Sequence, residues 1–256
     1  MAEYWRCVWI TGGGSGIGLA VAEQLVREGA CVIISGRDQI KLDQACQQVM
    51  TAASVSGQLH ALSCDVTDPD SVQQAWQQLV TCYGIPDLIL LNAGDHQPVT
   101  LDDFDPAVFQ RLMSVNFHGV VNCLAALLPD LLSRQTGQIG VVASVAGYRG
   151  LPTAAAYGAS KAALINACEA LYPELQQRGI VLSLINPGFV RTPLTDRNRF
   201  AMPFLIDAPS AANLIIKGLQ QKRFEIAFPY RFVLLLKCLK WLPDALYFRL
   251  TRKLLS

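Results

Sequence analysis

Tyr157 and Lys161 stand four residues apart in a stretch patterned as helix. That spacing puts both side chains on one face, with the ammonium of the lysine close to the phenol. A free tyrosine titrates near ~10, and a neighbouring cation favours its phenolate, moving it toward the range where a phenol serves as general acid or base. A solvated helix face produces the same spacing, so the pair carries chemistry only in company. Two further polar residues, Asn116 and Ser144, stand where apolar patterns break off. Ser144 reads equally as an end-of-strand cap, and Asn116 as a residue at a helix kink.

The elements that must position these groups begin at the amino terminus. Cys7 to Ile10 is a short apolar run leading into Thr11-Gly-Gly-Gly-Ser-Gly-Ile-Gly18, followed by Leu19, Val21, Ala22, Leu25 and Val26 at helical spacing. This predicts a strand, a glycine turn and a helix. Glycine lets the backbone approach a bound group, and a helix N-terminus offers free N–H groups and a positive dipole end to a pyrophosphate. Gly12, Gly16 and Gly18 follow G-x-x-x-G-x-G, which departs from the G-x-G-x-x-G dinucleotide fingerprint, so a tight turn without ligand stays open at this point.

Further runs alternate with helical patterns. Strands are predicted near 5–10, 31–35, 58–63, 87–92, 138–143, 181–185 and 224–228. The apolar continuity of Val32-Ile-Ile34 and Leu88-Ile-Leu-Leu91 suits strands covered on both faces. The expected fold is α/β: a doubly wound, Rossmann-type, seven-stranded parallel sheet with helices on both faces. Gly12, Gly36, Asp65, Asn92, Ser144 and Pro187 all fall at the carboxyl ends of these strands, where such sheets bind ligands.

The ordered set Thr11-Gly-Gly-Gly-Ser-Gly-Ile-Gly18, Asp65-Val66, Asn92-Ala93-Gly94, Asn116, Ser144, Tyr157, Lys161 and Asn186-Pro187-Gly188 with Thr192 resembles the short-chain dehydrogenase/reductase family. The match runs from about Val8 to Thr192 and resumes over 208–228. The resemblance implies hydride transfer between a nicotinamide dinucleotide and a carbonyl or secondary alcohol. It implies that Asn116, Ser144, Tyr157 and Lys161 are catalytic: Ser144 holds the substrate oxygen, Tyr157 protonates it, and Lys161 lowers the Tyr157 pKa and binds the nicotinamide ribose. Asn116 would hold a water in a relay ending at Lys161. It places Gly12, Ser15, Gly16, Ile17 and Gly18 around the pyrophosphate, and Asp65 and Val66 beside the adenine. Asn92, Ala93 and Gly94 would border the adenosine ribose, Thr192 would hold the nicotinamide amide, and Pro187, Gly188 and Val190 would also contact the cofactor.

Cofactor choice turns on Val32-Ile-Ile-Ser-Gly-Arg-Asp38. A carboxylate at the strand end would take the ribose and repel a 2'-phosphate; Gly36 stands there, and the planar fork of Arg37 suits that phosphate, so NADP(H) is preferred. With Arg37 solvated and Asp38 on the ribose, NAD(H) would be used instead. Alternatives to an NADPH-dependent reductase are an NAD-dependent alcohol dehydrogenase working oxidatively and a non-catalytic dinucleotide-binding regulatory or scaffold protein.

The expected organisation is one domain over 1–228, with a lid near 194–207 and an extension over 229–256. Phe200, Met202, Pro203, Phe204, Leu205 and Ile206 make the lid apolar, favouring a lipid-like carbonyl substrate, although such a segment could also pack on the core. Arg149 could meet an acidic group of the substrate or lie exposed. The extension has six Lys/Arg against Asp244 alone, net +5, on a remainder of net −4. Its apolar runs are too short to span a bilayer, and beside cations they suit peripheral membrane contact; the competing arrangement is two helices packed on the domain or across a subunit interface. Pro173 should bend the helix carrying Tyr157 and Lys161 near residue 169, which bears on any homo-oligomer built through that helix.

A net charge of +1, with no basic cluster interleaved with aromatics, gives no argument for nucleic acid as a partner. Eight cysteines without a C-x-x-C pair read as buried free thiols, and three dispersed histidines suggest no metal. The expected location is cytoplasmic, with membrane association through the extension.

Overall fold

A computed structural model describes residues 4–51, 55–197 and 202–254 of the chain. Seven strands form one sheet: β1 (Cys7–Thr11), β2 (Cys31–Gly36), β3 (Gln58–Ser63), β4 (Leu88–Leu91), β5 (Gly137–Val142), β6 (Ile180–Pro187) and β7 (Glu225–Phe228). Their order is β3-β2-β1-β4-β5-β6-β7, and every neighbouring pair is parallel. The expected doubly wound sheet is present, with boundaries shifted by two residues at most.

Parallel strands need crossovers, and the helices that supply them bury both faces of the sheet. On one face α1 (Gly16–Arg27), α2 (Gln39–Met50) and α7 (Ala208–Gln220) pack against Val8, Ile10, Val32, Ile34, Leu88 and Leu90. On the other, α3 (Pro69–Tyr83), α5 (Gly119–Arg134) and α6 (Ala155–Gln177) cover Trp9, Ile33, Ile89 and Leu91. The alternation of Val8, Trp9 and Ile10 between the two cores is the two-residue period of a strand. The strand order reverses between β1 and β4, which opens a crevice at their carboxyl ends.

α4 (Pro106–Met113) runs into α5 through a π-helical turn, Ser114–His118. The combined stretch Pro106–Arg134 has the length and hydropathy of a membrane span. Here Val120, Cys123, Leu124, Leu127 and Leu131 are instead buried beneath the sheet. Pro173, the residue expected to bend this helix near residue 169, lies inside α6, which continues to Gln177.

The extension forms α8 (Tyr230–Lys240) and α9 (Asp244–Thr251) and packs on the domain. Phe232, Val233 and Leu236 are buried with Val145 and against Tyr148 and Phe189. Arg149, expected to be exposed or to meet a substrate, does neither. Its Nη1 donates to the carbonyl oxygens of Leu239 (3.1 Å), Lys240 (3.0 Å) and Leu242 (2.7 Å), and its Nη2 to Asp244 (2.5 Å). Its guanidinium also lies 3.8 Å from the centroid of the Tyr247 ring. One planar cation thus satisfies the carbonyls that α8 leaves unpaired at its C-terminus and holds the turn into α9. Lys237 is turned inward as well, paired with Glu225.

The thiols depart in part from expectation. All eight are free, but only Cys64, Cys123 and Cys168 are buried, while Cys82 and Cys238 are exposed on the outer sides of α3 and α8.

Candidate active site

A cleft of about 520 Å³ opens at the carboxyl ends of β1, β4 and β5. The turn after β1 forms one wall. Gly12 has φ +64°, and a Cβ there would lie 2.7 Å from the Ala93 Cα, so only glycine lets β1 and β4 run this close. At Gly18 a Cβ would meet the Asn92 amide at 2.6 Å and the Gly12 carbonyl at 2.7 Å, so the start of α1 also depends on a bare backbone. Ser15 is the N-cap of α1 but makes no side-chain cap, and Ser15, Gly16 and Ile17 line the cleft. An uncapped helix N-terminus at a cleft wall built from glycine is suited to a pyrophosphate.

Arg37, at the end of β2, lines the cleft together with Lys41, a residue the motif reading passed over. The Asp38 side chain instead caps α2, accepting from the Lys41 backbone N–H at 3.1 Å. Asp65 and Val66 line the cleft, Asp65 holding its own turn through the Thr67 N–H (2.9 Å) and hydroxyl (2.7 Å). Asn92, Ala93 and Gly94 lie there too, but the Asn92 amide is engaged with the carbonyls of Thr11 and Gly12, both at 3.0 Å. Its side chain fixes the β1–β4 spacing and leaves its backbone to face the cleft.

Pro187, Gly188, Val190 and Thr192 line the far wall. Thr195 braces this segment, its hydroxyl accepting from the Thr192 N–H (3.0 Å) and donating to the Val190 carbonyl (2.7 Å). Val190 bridges to Ile206, which packs on the core beside α1 and α7 and does not line the cleft. Phe200 lies outside the described residues.

Three of the four catalytic candidates converge on the cleft wall. Ser144, just past β5, accepts from the Ala146 N–H at 3.1 Å and is within hydrogen-bond reach of Tyr157. Lys161 is 3% exposed, and its Nζ donates to the Val142 carbonyl at 2.8 Å. Asn116 is fully buried in the π-helical turn between α4 and α5, a distortion that re-aims a side chain inside a helix. Its Oδ1 accepts from the Asp95 N–H (2.7 Å), and its Nδ2 donates to the Asp95 carbonyl (3.0 Å) and the Ser160 hydroxyl (2.9 Å). Asn116 Oδ1 and Lys161 Nζ come together over Gly94, where a Cβ would lie 3.3 Å and 3.6 Å from them. The His96 ring meets Tyr157 edge-on, with centroids 4.6 Å apart. No sequence motif pointed to that histidine.

The electrostatics correct one expectation. Lys161 does not draw the Tyr157 phenol toward neutrality: burial pushes it above its ordinary value, with the Ser144 hydrogen bond opposing. The lysine Nζ sits 5.8 Å from the ring centroid and is committed to a backbone carbonyl. Burial likewise disfavours the lysine's charge, lowering it from 10.5 to about 8. At neutral pH the pair is therefore a protonated phenol beside an ammonium. That is the state required of an acid that gives its proton only when a strong base forms against it.

The family profile described as short chain dehydrogenase matches residues 6–202. An uncharacterized oxidoreductase of Myxococcus xanthus is 34% identical over 255 residues, covering 99% of this chain and 100% of that protein. The ketoacyl reductase HetN of Nostoc is 32% identical over 225 residues, 86% of this chain and 77% of that one. A short-chain dehydrogenase from Sphingobium yanoikuyae, solved in complex with NADPH, superposes with a TM-score of 0.79 at 25% identity, covering 88% of each chain. With the profile matching most of the chain and a relative of 34% identity covering it almost end to end, the protein belongs to the short-chain dehydrogenase/reductase family of NAD(P)-dependent oxidoreductases.

Proposed function

We propose that this protein reduces apolar, lipid-like carbonyl compounds with NADPH. The observation that carries the cofactor half is the end of β2. Gly36 and two basic side chains, Arg37 and Lys41, line the cleft there, while Asp38 is occupied as the cap of α2. A 2'-phosphate would meet two cations, Arg37 and Lys41, displacing the exposed Asp38 carboxylate that lies 3.7 Å from the Lys41 ammonium. The pyrophosphate would lie on the uncapped start of α1, the adenine beside Asp65 and Val66, and the nicotinamide between Pro187 and Thr192.

The bound dinucleotide would supply the hydride. The protein's own part is to hold the carbonyl oxygen at the Ser144 and Tyr157 hydroxyls and to supply a proton as negative charge develops there. The Tyr157 O–H bond breaks, the substrate oxygen gains the proton, and the phenolate left behind keeps the Ser144 hydrogen bond, the one contact that favours its charged form. Asn116, braced by Asp95 and Ser160, would hold the water through which that proton is restored.

The substrate half rests on aromatic side chains beyond Gly188. Phe232 from α8 stacks on Phe189 (5.4 Å) and on Phe204 of the lid segment (5.9 Å). This aromatic cluster lies next to Gly188 and outside the cleft lining, and apolar surroundings of that kind suit an acyl or other apolar chain better than a sugar. HetN, a ketoacyl reductase by description, agrees with an acyl substrate.

The test is oxidation of NADPH and NADH by the purified protein against long-chain 3-keto acyl compounds, retinal-like aldehydes and short ketones. Turnover with NADPH and long apolar carbonyls is expected. The Arg37→Ala/Lys41→Ala double variant should raise the KM for NADPH by roughly tenfold or more, with NADH kinetics unchanged, since a charge-assisted hydrogen bond contributes roughly 1.5–3 kcal/mol. Equal use of both dinucleotides, unaffected by the double variant, would overturn the cofactor assignment.

A further inference from the structure

The C-terminal helices have an inner face that is accounted for and an outer face that is not. On α8 and the residue that ends it, Tyr230, Leu234, Cys238 and Trp241 recur along one stripe, with Leu235 beside it. Tyr230 is 76% exposed, Leu234 and Leu235 each 50%, and Trp241 84%. On α9, Phe248 is 62% exposed and Leu246 45%. Apolar side chains scattered singly on a surface need no explanation, but this many on two consecutive helices mark an interaction face.

The charges around that face say what kind of surface it meets. Arg231, Lys240, Arg249 and Arg252 are all exposed in the same segment. The segment's single acid, Asp244, is tied to Arg149, and its one inward-turned cation, Lys237, to Glu225. Hence the outward charge is almost wholly positive, on a molecule whose remaining residues sum to −4. We propose that the outer face of α8 and α9 docks on an anionic lipid bilayer, with Trp241, Leu234 and Phe248 among the headgroups and the arginines and lysine against lipid phosphates. Aromatic rings beside cations are the side chains that favour this interfacial layer.

Docking is peripheral, because α8 has 11 residues and α9 has 8, against the ~20 that a spanning helix needs. A second copy of the chain is the less suitable occupant. A two-fold contact sets the same patch against itself, which would bring two +5 segments together.

The experiment is flotation of the full chain with vesicles of phosphatidylcholine alone and of phosphatidylcholine with phosphatidylglycerol. It needs no turnover, so it stands or falls separately from the substrate assignment. Binding to the anionic vesicles, weakened by salt, is expected, with little binding to the neutral ones. Arg231→Ala/Lys240→Ala/Arg249→Ala should weaken it by roughly a hundredfold, at roughly fivefold per cation near an anionic surface. Leu234→Ser/Trp241→Ser/Phe248→Ser should also release the protein. Both triple variants alter exposed positions and should keep wild-type dinucleotide binding and Tm. The proposal is overturned if wild type does not float with anionic vesicles, or if neither variant changes its binding. It is equally overturned if light scattering shows a dimer that the Leu234/Trp241/Phe248 variant dissociates.

Discussion

Lys161→Met should abolish turnover and yet change stability in a direction set by pH. Burial lowers the Lys161 ammonium from 10.5 to about 8. At about 1.4 kcal/mol per tenfold step, holding that charge inside costs the fold about 3 kcal/mol. Below about pH 8 the lysine is charged in folded and unfolded chains alike, and the full cost applies. Between about 8 and 10.5 the unfolded chain keeps a proton that the folded chain has released, so wild-type stability rises with pH relative to the variant; above 10.5 the cost is gone. The variant also loses the hydrogen bond to the Val142 carbonyl, which opposes the gain by roughly 1–3 kcal/mol. That loss, like the altered packing, is the same at every pH, so the informative quantity is a difference of differences. Urea unfolding of both proteins without cofactor, at pH 7 and at pH 10, should show the variant losing about 2–3 kcal/mol of stability relative to wild type over that interval. A gap that stays constant, or moves the other way, would refute a charged, desolvated Lys161.

Tyr157→Phe should retain dinucleotide binding by fluorescence titration while kcat falls about 10²- to 10⁴-fold, the usual contribution of a positioned acid; unchanged turnover would remove Tyr157 from the mechanism. In the wild type, carbonyl reduction should stay level through neutral pH, because the Tyr157 phenol is held protonated, and decline above about 8 as Lys161 loses its proton. A stopped-flow pH profile with no break in that region would contradict the assignment. Arg149→Ala should cost roughly 2–3 kcal/mol in urea unfolding and expose the α8–α9 turn to protease, most of the loss coming from the three α8 carbonyls because Asp244 is 83% exposed. Arg149→Lys should restore little of it, since an ammonium cannot present the same fork.

The sheet was legible because most strands are short, mainly apolar runs that break off at a glycine or a polar residue. Gly12, Asp65, Asn92 and Ser144 mark strand ends and, with them, the mouth of the cleft. Tyr157 and Lys161 were legible for a similar local reason, since a four-residue spacing fixes a shared face once the helix exists. What stayed hidden depends on contacts between distant segments. Nothing beside Arg149 in sequence indicates that its partners lie about 90 residues later, at Leu239, Lys240 and Leu242. The Tyr157 pKa was misjudged for a related reason: spacing places the ammonium on the right face, but only the fold shows how far burial outweighs it. Asn92 looked like a cofactor contact, and its amide proved to be committed to the adjoining turn.

The extension packs behind the catalytic wall. Glu225 accepts from the Tyr148 hydroxyl (2.6 Å) and the Asn186 amide (3.0 Å) and pairs with Lys237 of α8. Burial alone would raise the Glu225 carboxyl, but these partners together hold it below its usual range, so the carboxylate is charged whenever the site works. Tyr148 and Arg149 belong to the loop that begins at Ser144, and Asn186 opens the Pro187–Gly188 wall. A Cβ at Gly188 would lie 2.8 Å from Phe232, so the extension bears directly on that wall. Force on α8 from an outside surface would therefore reach the loop that positions the Ser144 hydroxyl through two ionic contacts, Lys237–Glu225 and Arg149–Asp244. If the outer face docks on lipid as proposed, substitutions there should alter kcat through the loop from Ser144 to Arg149 only when anionic vesicles are present; an equal effect on kcat without vesicles would refute the coupling.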